Sequence, residues 1–286
     1  MPNGGDFSIC TWSGGKATAT TIFFDDCWRD SVNAALPILE KHGIKANFAV
    51  IAGLLGKRFE GTQCISLAEM ESLRNAGHEI SSHGMTHRRL VDLGQGEVLR
   101  ELSESGHMLG AETIAYPYAR HNYRIRNAAR RHYLAGRVRG DKPNSSTPHD
   151  LLCLGAFSST CSTAREMDGW LEKSAGGWLI EIHHLIGIKK GYSYCTMPSQ
   201  LDRHLASLRS GDVWIDTMAN VAKYILEREN SKIEAVSESA RTLTVRAVSR
   251  LDAQRFNVPL SFEYGGRVYC IKPGCTLEIP KGARQE

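Results

Sequence analysis

Thr20-Thr21-Ile22-Phe23-Phe24-Asp25-Asp26 is the stretch on which the fold turns. An apolar, β-prone run stops abruptly on two adjacent carboxylates. Like charges side by side repel, and neither gains from burial. A strand end of this kind asks for positive charge, and a metal cation is the simplest way to supply it. The partner lies downstream, where His78-Glu79-Ile80-Ser81-Ser82-His83-Gly84-Met85-Thr86-His87 carries two imidazoles, His83 and His87, at i and i+4. On one turn of helix that spacing brings both side chains to the same side. One carboxylate and two imidazoles make a three-ligand set with positions left for water and substrate. Histidines four apart also arise by chance on exposed surfaces. The acidic strand end is what lifts this pair above that background.

Outward from this stretch, strand and helix signals alternate through the first 230 residues. Strands are expected at 20–25, 45–51, 78–82, 113–116, 134–138, 151–156, 178–184 and 213–217. Helices are expected at 31–42, 66–76, 96–110, 123–132, 164–173, 199–210 and 221–227. Ser66 with Glu69 three residues later predicts a capping box at one of these starts. Repeated β-then-α order implies a parallel sheet, and this many units predicts a closed barrel. After about Lys232 helix signals vanish. Short β-prone segments at 233–236, 242–247, 260–264, 268–271 and 275–279, parted by turns, predict a small β module, sandwich-like and either structural or carbohydrate-binding. Its poverty in aromatics favours the structural role. The division expected is 1–230 for the barrel and 231–286 for the module.

The ordered motifs resemble the polysaccharide deacetylases of the NodB-homology type, carbohydrate esterase family 4. That family reads T-F-D-D-G, then H-[ST]-x-x-H, then R-x-P-Y, then a late L-x-H. Here the counterparts are Phe24-Asp25-Asp26, His83-x-x-x-His87, Ala115-Tyr116-Pro117-Tyr118 and Ile182-His183-His184. The resemblance implies an α/β fold, a distorted (β/α) barrel of seven or eight strands, carrying here a small C-terminal all-β appendage. It implies a metal-dependent hydrolase that removes acetyl groups from an acetylated carbohydrate, N-acetyl before O-acetyl. One divalent ion is implied, zinc first and cobalt, nickel or manganese as alternatives, held by Asp26, His83 and His87. Asp25 is implied as general base, and His184 as the acid that protonates the leaving group. Tyr118, through its backbone N–H, would serve the oxyanion. Ile182 and Pro117 would line the substrate pocket.

Strand alternation bears on which late histidine does this work. Over 178–184 one face holds Trp178, Ile180, Ile182 and His184, and the other Leu179, Glu181 and His183. The first is more apolar and fits a barrel lumen, so His184 is expected in the site and His183 towards the helix layer, beside a carboxylate. Three departures from the family pattern matter. Cys27 replaces the glycine after the Asp pair, which puts a thiol close to the ligand set. Ala115 replaces the motif arginine, leaving Arg120 and Arg137 as alternatives for orienting Asp25 or binding substrate. The family's Asp–Trp pair that tunes the acid histidine has no clear counterpart, Asp141 being the nearest candidate.

The bulk of the chain narrows the partners. A net charge of +4 over 286 residues carries no Lys/Arg run pointing to nucleic acid or to a membrane surface. No apolar stretch reaches membrane-spanning length. Met1–Asp6 has neither a basic nor an apolar region, so the sequence as written reads as cytoplasmic, or as secreted if a leader was removed. Eight scattered cysteines have no zinc-knuckle spacing. Cys270 and Cys275 bracket a Pro-Gly turn and could bridge, with free thiols expected in a reducing compartment. Two other readings share these residues: an amidase of the same fold acting on small cyclic or linear amides, and a non-catalytic carbohydrate-binding protein. A complete set of Asp25, Asp26, His83, His87 and His184 argues against the last, since binding alone needs no general base.

Overall fold

The computed structural model describes residues 7–188 and 192–281. The chain forms two compact units, Thr18–Ala219 and, together, the residues up to Ala17 and from Asn220 onward.

The larger unit is built on eight parallel strands: β1 (Thr18–Phe24), β2 (Asn47–Val50), β3 (Glu79–Ser82), β4 (Thr113–Ala115), β5 (Ala135–Arg137), β6 (Phe157–Ser158), β7 (Trp178–His183) and β8 (Val213–Ile215). Their order is β5-β4-β3-β2-β1-β7-β6, with β8 paired to the start of β1. All seven residues of β1 and all six of β7 are buried, as strands covered on both faces must be. Helices α1 (Arg29–Lys41), α2 (Leu67–Asn75), α3 (Gln95–Leu109), α4 (Tyr123–Ala129), α5 (Ala164–Lys173) and α6 (Pro198–Ser210) follow strands in turn. This is the distorted (β/α) barrel that the family resemblance implies. Phe24 and Phe48 stack at 5.3 Å between ring centroids, in one cluster with Leu39, Leu102 and Leu205 of the surrounding helices. Each such side chain contributes about 2 kcal/mol by burial. Helix α2 starts with the predicted capping box: Ser66 Oγ accepts from the Glu69 N–H, and Glu69 Oε2 accepts from the Ser66 N–H at 2.6 Å. Helix α3 ends on Gly110, whose φ of 55° is the left-handed cap that glycine supplies without strain.

Two local expectations fail, each for a visible reason. Residues 151–156 form no strand. Asp150 folds the chain there by accepting the Leu152 N–H at 3.0 Å, and the strand comes later, at Phe157–Ser158. Residues 83–87 form no helical turn. They are a loop pinned by the carboxylate of Glu101 on α3, which accepts the Met85 and Thr86 N–H groups at 2.7 and 3.0 Å.

The smaller unit contains two three-stranded antiparallel sheets. One is Ser231–Glu238, Thr242–Ser249 and Thr276–Pro280. The other is Leu260–Tyr264 flanked by Arg267–Ile271 and the short strand Ser8–Ile9. Ile233, Leu243 and Val245 from the first meet Phe262 and Ile271 from the second in one apolar cluster, a small sandwich. The N-terminal strand explains why residues 7–17 group here rather than with the barrel.

The cysteine expectation is corrected. Cys270 and Cys275 are exposed free thiols, and the bridge is Cys161–Cys195. Among the described residues no helix is long and apolar enough to cross a membrane. The leader reading of Met1–Asp6 falls outside the described residues.

Candidate active site

Parallel register brings the chemistry together at the C-terminal ends of the strands, where barrels of this type carry function. Phe24 pairs with His183, so Asp25 and His184 emerge side by side, and the Asp25 N–H donates to His183 O at 2.8 Å. Val50 pairs with Ser82, and the His83 N–H donates to Val50 O at 2.8 Å. Ala115 pairs with Arg137, which sets the turn Pro117–Ala119 beside the end of β5. These ends surround a cavity of about 330 Å³.

Asp26, His83 and His87 converge there. Asp26 Oδ1 lies 3.6 Å from His83 Nε2 and 3.5 Å from His87 Nε2, and the two nitrogens are 3.2 Å apart. All three residues are buried. His83 Nδ1 lies 2.7 Å from Ala115 O, a contact that needs the proton on Nδ1 and so leaves a lone pair on Nε2. Asp26 Oδ1 has no hydrogen-bond donor among the described residues. Burial, the neighbouring Asp25 and Glu60 push the Asp26 carboxyl pKa well above its ordinary value. Burial lowers that of His83, and burial with His83 beside it takes His87 down to about 3. A carboxylate short of positive charge and two uncharged imidazoles, all aimed at one point, fit a cation. The set is a possible metal site.

Asp25 meets different surroundings. Burial alone would raise its pKa, but Arg137, His83 and His184 outweigh burial and hold it at about 2. Arg137 is itself buried, donates through Nη2 to Asp25 Oδ1, and lays its guanidinium 4.7 Å from the centroid of Phe23. The opposite oxygen, Asp25 Oδ2, lies 3.7 Å from His184 Nε2 and 3.9 Å from His83 Nε2. Burial depresses the His184 pKa to about 4 against the pull of Asp25.

Ile182, Tyr118, Arg120 and Arg137 all line the cavity. Arg137 is the arginine paired with Asp25, whereas Arg120 is exposed at the mouth. Pro117 is buried in its turn behind Gly84 and does not line the cavity. Cys27 turns away from the ligand set, its Sγ 3.3 Å from Ala49 O. Asp141 pairs with Arg139 at 3.6 Å rather than with His184, so it does not fill the tuning position. His183 faces the other way, with Nδ1 2.9 Å from Thr196 Oγ1 and Nε2 3.5 Å from Glu181.

The sequence reading missed Tyr192, Tyr194, Arg89, Arg139 and Glu60, all on the cavity wall. Tyr194 packs on His184 at 5.3 Å and Tyr118 on His87 at 4.6 Å. The one available signal was the Tyr192-Ser193-Tyr194 pair of aromatics in the segment just after β7.

Fold and site together define the class, a distorted (β/α) barrel whose strand ends carry a buried Asp–His–His set beside an Arg-paired carboxylate. Residues 14–136 match the family model described as polysaccharide deacetylase. A gellan lyase of Bacillus sp. is 21% identical over 291 residues, covering 90% of this chain and 11% of the lyase. YxkH of Bacillus subtilis (strain 168), a candidate polysaccharide deacetylase, is 30% identical over 114 residues, covering 38% of this chain and 39% of YxkH. The chain therefore spans well under half the length of these curated relatives. The crystal structure of a candidate polysaccharide deacetylase from Mycobacterium smegmatis superposes with a TM-score of 0.57 at 16% identity, covering 81% of this chain and 98% of that one. That likeness is one of fold.

Proposed function

We propose that the protein is a metal-dependent deacetylase acting on an acetylated carbohydrate, N-acetyl before O-acetyl. The observation that carries this reading is the meeting of Asp26, His83 and His87 within hydrogen-bond-like distances, with Asp25 held ionised beside them. The three would hold one divalent ion, zinc by donor chemistry, with cobalt, nickel or manganese as alternatives. Such an ion, when bound, lowers the pKa of a water from about 15.7 towards about 7. That matters because a carboxylate with a pKa of about 2 cannot deprotonate ordinary water.

Asp25 Oδ2 is the free oxygen, since Arg137 occupies Oδ1. It takes the proton from the attacking water. His184 Nε2 stands 3.7 Å from that oxygen and gives a proton to the departing amine or alcohol. The depressed pKa of His184 makes it neutral before turnover, so the proton it donates is the one Asp25 Oδ2 takes from the water and passes on to Nε2. The backbone N–H of Tyr118 faces the developing oxyanion. Ile182 supplies an apolar wall for the acetyl methyl. The Cys161–Cys195 bridge favours an oxidising compartment, where polymeric carbohydrate is met.

Calorimetric zinc titration combined with acetate release from N-acetylchitohexaose tests the assignment. Asp25→Asn should retain zinc binding within a few-fold and lose at least about a thousandfold in turnover. His87→Ala should lose both. Full turnover by Asp25→Asn would remove it from the role of base.

A further inference from the structure

Charge around the cavity mouth is not balanced. Among the described residues three exposed arginines line it, Arg89, Arg120 and Arg139, against the single exposed carboxylate Glu60. Among the described residues no carboxylate pairs with Arg89 or Arg120. Arg139 shares its Nε with Asp141 at 3.6 Å but turns Nη1 towards Tyr194 Oη at 3.3 Å. The buried Arg137 adds nothing to this rim, because Asp25 neutralises it.

Two of the arginines are mounted alike. Arg89 lies 5.1 Å from the ring centroid of Tyr118, and that ring packs on His87. Arg139 lies 5.6 Å from the ring centroid of Tyr194, and that ring packs on His184. Tyr118 is 49% and Tyr194 37% exposed, so both rings keep surface open to a ligand. Each pair presents an aromatic surface, which suits the apolar face of a sugar, and a guanidinium fork, which suits a planar or tetrahedral anion. One stands on the side of the Asp–His–His set and the other on the side of the proton-donating histidine.

We propose that this site takes an acetylated glycan bearing anionic groups, carboxylate or phosphate, on the sugars flanking the one that reacts, with Arg89/Tyr118 and Arg139/Tyr194 as the two anion-reading subsites. This rests on the deacetylase reading above and adds the substrate class. A neutral polymer would leave the Arg89 fork solvated and the Arg139 fork with only Asp141 and Tyr194, and gain only the stacking. An acidic one replaces water on each fork with a charge-assisted pair. Because the forks are exposed, the gain is moderate and screened by salt.

The test compares acetate release from three probes: a hyaluronan hexasaccharide, whose carboxylates flank N-acetyl sugars; a phosphodiester-linked N-acetylhexosamine oligomer; and neutral N-acetylchitohexaose. At low ionic strength at least one anionic probe should exceed the neutral one by about tenfold in kcat/KM, through KM, and high salt should narrow the gap. The arm that prevails tells carboxylate from phosphate. Arg89→Gln/Arg139→Gln should bring the ratio to within about twofold of unity. Equal or better use of chitohexaose, or a ratio unmoved by the double variant, overturns the proposal. If no probe is turned over, the deacetylase reading fails by itself, and equilibrium binding of the same hexasaccharide decides the subsites. Salt-sensitive binding that the double variant loses supports them, and binding the variant leaves intact refutes them.

Discussion

At the scale of single residues, two adjacent carboxylates with the same chemistry are driven to opposite states by their contacts. Asp25 has a guanidinium at one oxygen and a pKa held at about 2, whereas Asp26 has acceptor atoms around it and a carboxyl pushed well upward. The φ of 63° at Asp26 is the left-handed backbone that swings its side chain away from its neighbour, a conformation kept only where the surroundings enforce it. In the proposed mechanism Arg137 would be the residue that positions Asp25, to which its guanidinium donates. Removing it strands a buried carboxylate, so Arg137→Gln should cost about 3 kcal/mol in urea unfolding. It should also lower turnover at least about a hundredfold with zinc affinity nearly kept, and Arg137→Lys should restore only part, since a point charge lacks the fork. Wild-type turnover in Arg137→Gln would sink this account. The sequence made the strand-end acids and the paired imidazoles legible because each is a local pattern. It left Arg120 and Arg137 open because burial is not written locally: one caps a strand inside the barrel, and the other follows a turn into solvent. Arg89, Arg139, Tyr192 and Tyr194 lie in segments without periodicity, where only the paired aromatics Tyr192 and Tyr194 hint at a wall.

At the scale of elements, β7 was readable because alternation with period two sorts its side chains, although the strand ends at His183, one residue short of the expected 178–184. His184 goes to the cavity and Glu181 with His183 to the other side. The consequence is a buried polar chain behind the strand. His204 on α6 lies 2.9 Å from Glu181 and 2.7 Å from Asp168 on α5, tying two helices to the strand that carries His184. Burial pulls the His204 pKa down, but Glu181 and Asp168 outweigh it and raise it to about 9. An unfolded histidine titrates near ~6.5. The contribution is therefore complete below that pH and disappears as pH rises through about 9. Thermal midpoints should fall across this alkaline window. His204→Leu should flatten the fall and cost about 3 kcal/mol at neutral pH, because Glu181 stays buried without its partner. A midpoint flat from pH 6.5 to pH 9 in the unaltered protein would contradict the pairing. Short elements were less legible for the same physical reason. A strand of two residues, Phe157–Ser158, has no period to read, and the loop at 83–87 takes its shape from Glu101, which lies one helix further on.

At the scale of the whole chain, the two units are stabilised differently. The sandwich rests on a small apolar cluster, and its N-terminal strand could not be foreseen from a two-residue signal so far from its partner in sequence. The barrel adds a covalent link, Cys161–Cys195, at a sequence separation of 34. Its partners were illegible because eight cysteines admit many pairings and only the fold brings these two together. The bridge joins the segment after β6 to the strand Cys195–Thr196, directly beside Tyr194, and Ser159 Oγ donates to Cys195 O at 3.1 Å in the same place. Closing a loop of this length limits the unfolded chain and is worth about 4 kcal/mol. Reduction, or Cys161→Ala/Cys195→Ala, should therefore lower urea stability by about that amount. Because Tyr194 is anchored next to the bridge while the Asp–His–His set is carried on other strands, zinc affinity should stay within a few-fold and KM for an acetylated oligosaccharide should rise. Mass spectrometry after alkylation gives the decisive control. If the native protein, purified without reductant, labels at Cys161 and Cys195, the thiols are free, and both the stability loss and the oxidising compartment inferred from the bridge are wrong.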